Sequence, residues 1–273
     1  ISSKATMNLS LRMRPTILLF GDSMTEFGFG LDGQIGWASL LSSTYSRRAD
    51  VLSRGFAGYN TKHALDVLPS IIGETPNLKN EDTKKIPLLF STVFFGANDA
   101  SLPTSRMRLD IEEYTENMRS IISRIRCQTQ YDGPQEQKYS MNSQVPVILL
   151  TPPPVSPAIW DHYCTVTSPR PISPRSNENA KKYGARVLQI ADDMDCAVVD
   201  TFQLLGGDKG EKHFDNYLTD GLHLNGEGNQ IVYDGLMDAI KKKYNHILPM
   251  EDGDGRYGSF GIALDQKLWK ELC

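Results

Sequence analysis

Short apolar runs alternate with amphipathic helical patterns along most of this chain, and this alternation limits the folds it can adopt. The strand-like runs cover residues 16–20, 50–53, 88–95, 145–150 and 196–200. Apolar residues recur at helical spacing in 37–45, 64–71, 111–125, 180–191 and 231–240. Short strands that are apolar on both faces predict a parallel sheet with helices packed on both sides. We therefore expect an α/β fold, and without repeats or a clear linker a single domain is favoured.

The end of the first predicted strand indicates a functional position. The run ILLF is followed directly by Gly21, Asp22 and Ser23. These residue types are common in tight turns and helix caps, which is one interpretation. Ligands of parallel sheets, however, bind beyond the carboxyl ends of the strands. Ser23 is therefore also placed to act as a nucleophile.

A serine nucleophile needs a base, and that base works best when a carboxylate fixes its tautomer. Among five histidines, His223 stands apart because Asp220 precedes it by three residues in the turn-rich segment LTDGLHLNG. A helix is expected to follow from about Gly226, with Asn225 as its cap. The alternative is that Asp220 and Gly221 only form a turn beside a histidine without a chemical role.

Two further positions offer hydrogen-bond donors for the oxyanion of an acyl-transfer reaction. The third predicted strand runs into Gly96, Ala97 and Asn98, so the Asn98 amide would lie at the same sheet edge as Ser23. Gly58 follows the second strand, and its backbone N–H would lie at a helix start, where the helix dipole favours an anion. The structural alternatives are an Asx turn for Asn98 and a simple tight turn for Gly58.

Four segments, in chain order, resemble the motifs of the SGNH or GDSL-type hydrolases: FGDSMTE, GFAGYNT, FGANDA and LTDGLHLNGEG. Within that family the chain is most similar to the eukaryotic isoamyl-acetate-hydrolysing esterases, over about residues 16–240. Met24 departs from the leucine of the family's name-giving motif, with little effect expected because it packs behind the nucleophile. The resemblance implies a three-layer αβα fold with a flavodoxin-like sheet of five parallel strands. It also implies that Asp22 and Asp99 organise loops without taking part in the chemistry.

The resemblance further implies the role of each candidate site residue. Ser23 would be the nucleophile, His223 the general base and then the general acid, and Asp220 the carboxylate that orients the imidazole. The oxyanion donors would be the backbone N–H groups of Ser23 and Gly58 and the side-chain amide of Asn98. The family implies no metal and no organic cofactor.

The implied reaction is the hydrolysis of small, short-chain, acetyl-type esters through an acyl-serine intermediate. Alternatives with the same fold are an esterase of acetylated carbohydrates, a lysophospholipase and an acyltransferase, and a non-enzyme alternative is a catalytically idle binding module. The proline-rich segment 151–176, which holds Trp160, His162 and Tyr163, is expected to be a loop. It would either wall a substrate pocket or cover the sheet edge.

Composition limits the partners and the compartment. The net charge of −4, without a dense Lys/Arg cluster, argues against a nucleic-acid partner, and no apolar run reaches membrane-spanning length. The four cysteines, at 127, 164, 196 and 273, lack metal-site or disulfide spacing. We expect Cys196 to be buried, the chain to be cytoplasmic without a signal peptide, and its partners to be a small ester and a second copy in a homodimer. The predicted division is an extension (1–15), a hydrolase domain (16–243) and a tail (244–273).

Two motifs resemble a cofactor site and a metal site, but other features of the sequence argue against both. Gly28, Gly30 and Gly33 fit the dinucleotide pattern G-x-G-x-x-G, and Asp50 lies where a ribose-binding acid is expected. These glycines begin eight residues after the strand instead of at its end, which argues against a dehydrogenase. The acidic segment 251–255 is expected to be a solvated turn, because Arg256 occupies a would-be calcium-ligand position.

Overall fold

The computed structural model describes residues 14–46, 48–73, 87–128, 144–169 and 174–249. The strands are β1 (Thr16–Gly21), β2 (Gly30–Leu31), β3 (Gln34–Ile35), β4 (Asp50–Gly55), β5 (Leu88–Phe94), β6 (Val147–Leu150) and β7 (Ala197–Val199). The helices are α1 (Ser23–Glu26), α2 (Trp37–Thr44), α3 (Thr61–Ile71), α4 (Ile111–Arg126), α5 (Pro157–His162), α6 (Asn177–Asp193), α7 (Thr201–Leu204), α8 (Glu211–Phe214) and α9 (Gly226–Lys243). The acidic segment 251–255 and Cys273 lie outside the described residues, and the predicted division of the chain stays a prediction.

Five of the strands form one parallel sheet in the order β4-β1-β5-β6-β7. The first strand lies inside the sheet, and its six residues are all buried. Its side chains alternate between two cores, with Ile17 and Leu19 on one face and Leu18 and Phe20 on the other. The order is that of flavodoxin-like folds, so the predicted fold class is confirmed.

Helices cover both faces of the sheet. Residues Trp37 and Leu41 of α2 and Val232 and Leu236 of α9 belong to the core on one face. Helices α3, α4 and α6 contribute buried residues to the core on the opposite face. The molecule therefore has three layers, and the carboxyl ends of the strands remain as an edge at which a site can form.

The predicted strands are all present, with small shifts at their ends. The fourth begins at Val147 instead of residue 145, because Pro146 has no N–H to donate to a neighbouring strand. The prediction of a loop over residues 151–176 is wrong in part: α5 and a π-helical turn (Tyr163–Thr167) lie within it. Pro157 occupies the first helical position, where the missing N–H has no helical partner in any case.

Two glycines of the dinucleotide-like pattern, Gly30 and Gly33, belong to a small hairpin, and Gly28 lies in the 3₁₀ turn that precedes it. Strands β2 and β3 pair antiparallel, and the connecting Asp32 and Gly33 both have positive φ, 52° and 78°. Two positive φ values at an Asp-Gly pair are typical of a type I′ hairpin turn. This hairpin is not the strand-to-helix turn that a dinucleotide site requires.

Two other expectations concern buried cysteines and membrane spans. Cys196 is buried, as predicted, and Cys127 and Cys196 are free thiols. Within the described part of the chain, no helix has both the length and the apolar character needed to cross a bilayer.

Candidate active site

Ser23 lies at the junction of the first strand and a short helix. It is the first residue of α1, and the Asp22 side chain caps that helix by accepting a hydrogen bond from the Met24 N–H at 3.0 Å. The Trp37 indole N–H donates to the Met24 carbonyl oxygen at 2.9 Å. These contacts fix the helix at the sheet edge and hold the serine hydroxyl there.

The structure brings Ser23, His223 and Asp220 together. The Ser23 Oγ lies 3.0 Å from His223 Nε2, and His223 Nδ1 lies 2.7 Å from Asp220 Oδ2. The three residues are 5 %, 7 % and 5 % exposed, so the hydrogen-bond chain lies almost entirely out of solvent. The 200 residues between serine and histidine in the sequence do not separate them in space.

Asp220 is held by more than the imidazole. Its Oδ1 accepts hydrogen bonds from the backbone N–H groups of Leu222 at 3.0 Å and His223 at 2.8 Å. Burial on its own raises the pKa of Asp220, but the hydrogen bonds and charge of His223, with these backbone donors, outweigh it and leave the pKa below its ordinary value. An ionised carboxylate only accepts, so Nδ1 carries a proton and Nε2 faces the serine with its lone pair.

The loop that carries the histidine is a tight turn packed against α5. Gly221 has a φ of +84°, and a Cβ there would lie 2.7 Å from the Trp160 backbone nitrogen. The Ser156 N–H donates to the Gly221 carbonyl at 2.8 Å. Rings of Phe27 and Trp160 approach the imidazole edge-on, with centroids 5.1 and 5.8 Å away. The proline-rich segment therefore covers the edge beside His223.

Gly58 lies in a tight turn after β4. The Tyr59 N–H donates to the Phe56 carbonyl at 3.0 Å, and Gly58 has a φ of +80° that favours glycine. The expectation that Gly58 lies at the helix start is wrong, since Asn60 caps α3 and the helix begins at Thr61. Within the described residues, no hydrogen bond uses the backbone N–H of Gly58, which leaves it available to an anion.

The turn that holds Gly58 is tied to the nucleophile helix. A carboxylate oxygen of Glu26, the last residue of α1, accepts the Ala57 N–H at 2.5 Å. At Gly55, a Cβ would lie only 2.0 Å from the Glu26 backbone nitrogen, so this contact requires glycine. The two segments therefore keep a fixed distance from one another.

Asn98 does not form an Asx turn. Its side-chain Nδ2 donates to the Tyr59 carbonyl at 2.8 Å, next to Gly58 in the chain, and its Oδ1 accepts from Arg175 at 2.9 Å. The amide therefore joins the segment after β5 to the segment after β4. Both segments were expected at this edge of the sheet, because each follows the carboxyl end of its strand. Asn98 and the turn of Gly58 are neighbours in space.

Two buried carboxyl groups lie beneath the site and organise loops, as predicted. Asp99 Oδ1 accepts from both the N–H and the hydroxyl of Thr61, at 2.9 and 2.6 Å. Burial raises the pKa of Asp22 to about 7, and the charge of Asp99 adds to this effect. Burial likewise raises the pKa of Asp99 to about 6. Among the described residues, no cluster of three or more His, Cys, Asp or Glu side chains could hold a metal ion.

Sequence reasoning missed Glu26 and Arg175 as parts of the site, whereas Trp160 lies in the segment that was expected to wall a pocket or to cover the sheet edge. Each of the two missed residues acts through a contact with a residue that is distant in the chain. Glu26 contacts Ala57, 31 positions away, and Arg175 contacts Asn98, 77 positions away. Glu26 ends the motif FGDSMTE, but nothing in that motif indicates its contact with Ala57. No local pattern marks Arg175.

A model of the GDSL-like lipase/acylhydrolase family matches residues 19–231. The chain belongs to this family. The mouse isoamyl acetate-hydrolyzing esterase 1 homolog is 36% identical over 235 residues, which cover 85% of this chain and 84% of the relative. The chain is therefore an enzyme of the GDSL esterase/lipase class.

Two solved structures share the fold. A lipase/acylhydrolase from Enterococcus faecalis superposes with a TM-score of 0.56 at 22% identity, covering 84% of this chain and 96% of that one. The acetylxylan esterase Axe2 from Geobacillus stearothermophilus gives a TM-score of 0.54 at 18% identity, covering 84% and 95%. At these identities the likeness concerns the fold alone.

Proposed function

We propose that this GDSL esterase hydrolyses small, short-chain, acetyl-type esters through an acyl-Ser23 intermediate. The observation that carries the proposal is the buried chain of hydrogen bonds from the Ser23 hydroxyl through His223 to Asp220, at 3.0 and 2.7 Å. A serine hydroxyl hydrogen-bonded to a base that is itself oriented by a carboxylate is the arrangement that nucleophilic acyl transfer requires.

In the acylation half of the proposed reaction, Ser23 Oγ attacks the ester carbonyl carbon while His223 Nε2 takes the hydroxyl proton. The carbonyl π electrons move onto oxygen, and this oxyanion accepts hydrogen bonds from the N–H groups of Ser23 and Gly58 and the amide of Asn98. When the tetrahedral intermediate collapses, the bond to the alcohol oxygen breaks. His223 gives its proton to the departing alcohol, which leaves an acyl-serine.

Water completes the reaction in the same site. His223 takes a proton from a water molecule as its oxygen attacks the acyl carbon, and the same donors hold the second oxyanion. Collapse breaks the bond to Ser23 Oγ, which recovers its proton from His223, and the carboxylic acid leaves. Asp220 stays ionised throughout and stabilises the imidazolium that forms twice in each cycle.

Two observations support a small apolar ester as the substrate. The rings of Phe27 and Trp160 present apolar surface beside the imidazole, where the alcohol or acyl group of a substrate would lie. The mouse relative, at 36% identity, is named for the hydrolysis of isoamyl acetate. A nitrophenyl ester series from acetate to dodecanoate, run beside acetylated xylan fragments and lysophosphatidylcholine, distinguishes the candidate substrates.

The first experiment measures turnover of p-nitrophenyl acetate by Ser23→Ala and, as a matched control, by Ser46→Ala at an exposed position. We expect Ser23→Ala to lower kcat by at least about a thousandfold and the control to leave it unchanged. A loss below tenfold would place the nucleophile elsewhere. A fluorophosphonate probe should label Ser23 alone, since it reacts only with a serine that has a working base; without labelling, the site is catalytically idle.

Addition of an alcohol acceptor to the same assay tests for acyl transfer, because a transferase forms a new ester in place of the free acid. A homodimer, a cytoplasmic location and the lack of a nucleic-acid partner, a cofactor and a metal stay predictions.

A further inference from the structure

We propose that Arg175 is a positioning residue of the oxyanion site, which holds the Asn98 amide so that its Nδ2 faces the reacting carbonyl oxygen. This inference rests on the proposed function, because it concerns how one of the three proposed oxyanion donors is held. Arg175 takes no part in the bond changes. Its action on catalysis would pass through Asn98.

The guanidinium of Arg175 is buried among groups of the site. Only 7 % of the residue is exposed. One terminal nitrogen donates to Asn98 Oδ1 at 2.9 Å, and the other donates to the Ala97 carbonyl oxygen. The guanidinium also lies over the Trp160 ring, with Cζ 5.4 Å from the centroid. Arg175 therefore fixes both the Asn98 side chain and the carbonyl group of the preceding Ala97, in the segment after β5.

The partners of Asn98 determine which end of its amide is oxygen. Arginine offers only donors, so the atom facing Arg175 must be the carbonyl oxygen. The atom facing the Tyr59 carbonyl must be the NH₂ group, because that carbonyl only accepts. A flipped amide would place donor against donor and acceptor against acceptor. Arg175 and Tyr59 thus exclude the orientation in which an oxygen atom would face the oxyanion.

The same contacts prepare the Asn98 amide as a donor. Tyr59 uses one of the two Nδ2 hydrogens, and the second is available to the substrate. A charged donor on Oδ1 draws electron density toward that oxygen and makes the Nδ2 hydrogens stronger donors. Burial lowers the pKa of Arg175 to about 10, with the charge of Asp22 opposing this, so the guanidinium remains charged at neutral pH.

A double-mutant cycle tests the proposal. kcat and KM for p-nitrophenyl acetate are measured for Arg175→Met, Asn98→Ala and the double variant. We expect Arg175→Met alone to lower kcat by roughly tenfold to a hundredfold with little change in KM, and by less than about threefold in the Asn98→Ala background. Arg175→Lys should recover part of kcat, since an ammonium group can donate to one of the two acceptors.

Arg126→Met is the matched control. Arg126 also donates to backbone carbonyls, of Met194 at 2.6 Å and Asp195 at 3.1 Å, beside the amino end of β7. Its loss should lower Tm and leave kcat unchanged. If Arg175→Met lowers kcat by the same factor in both backgrounds, Arg175 does not act through Asn98 and the proposal is wrong.

Should Arg175→Met not fold, as judged by circular dichroism and Tm, Arg175→Lys replaces it in the cycle. A loss in kcat that disappears in the Asn98→Ala background supports the proposal, and an undiminished loss overturns it. Failure of the proposed function has a different signature: either Ser23→Ala keeps the wild-type activity, or the wild-type protein shows neither turnover nor fluorophosphonate labelling, whatever happens at Arg175.

Discussion

The sharpest prediction concerns Asp220→Asn, which changes a single atom of the hydrogen-bond chain. Asparagine keeps an oxygen for the N–H groups of Leu222 and His223, now 3.0 and 2.8 Å from Oδ1. The other position, 2.7 Å from His223 Nδ1, becomes an NH₂ group. That group donates, so Nδ1 must present its lone pair and the proton moves to Nε2. The imidazole then donates to Ser23 Oγ and cannot take its proton.

We expect kcat/KM for p-nitrophenyl acetate to fall roughly 10³- to 10⁴-fold at neutral pH. This corresponds to about 4–5.5 kcal/mol of transition-state stabilisation. The lost charge-assisted hydrogen bond accounts for about 1.5–3 kcal/mol of it. The remainder reflects the loss of a buried negative charge beside the imidazolium that forms in the transition state.

The assay compares Asp220→Asn with Asp238→Asn, which removes an exposed carboxylate 2.6 Å from Lys242 on α9. The control should retain full activity, and both variants should keep the wild-type circular dichroism spectrum. A well-folded Asp220→Asn protein with less than a tenfold loss would refute the argument that Asp220 sets the imidazole tautomer.

Three further predictions use other parts of the site. Asn98→Ala should lower kcat roughly a hundredfold with a smaller effect on KM, and unchanged kcat would remove it from the oxyanion site. Glu26→Ala should lower kcat about fivefold, since its bond to Ala57 holds the turn of Gly58; Glu26→Gln keeps an acceptor oxygen and should retain most activity, whereas equal losses would contradict a positioning role. Burial raises the pKa of Asp22 from an ordinary 3.8 to about 7 in the folded protein, so its contribution to stability is present at low pH and is lost as pH rises toward 8. The Asp22→Asn variant lacks this loss. Measured by urea unfolding, its free energy of unfolding relative to wild type should therefore rise by on the order of 2 kcal/mol between pH 5 and pH 8; parallel curves of the two proteins against pH would refute the raised pKa.

The fold and the positions of the candidate site were predictable because both depend on local pattern. Apolar runs and helical spacing located the strands of the sheet, and strand ends in a parallel sheet share one edge. Ser23, Gly58 and Asn98 follow three strands that are neighbours in space. Asp220 and His223 are three residues apart, so the spacing made their contact possible, and the family resemblance implied it.

The groups that hold the site in place could not be read from the sequence. Arg175 follows Pro174 in a proline-rich segment, and only the folded chain brings its guanidinium to Asn98. The raised pKa values of Asp22 and Asp99 depend mainly on burial, and for Asp22 also on the charge of Asp99, which no sequence pattern records. The helix within residues 151–176 was missed because prolines usually indicate breaks, whereas Pro157 lies where a helix tolerates it.

The turn that carries His223 is packed against the segment that contains α5. The Gly221 carbonyl is bonded to the Ser156 N–H, and the Trp160 backbone leaves no room for a side chain at Gly221. We expect an exchange in residues 157–167 that displaces Trp160 to shift the turn of His223 as well. If Trp160 borders the substrate, as proposed, divergence or redesign in this segment would change substrate range and turnover rate together, and gains in one would need compensating changes around His223.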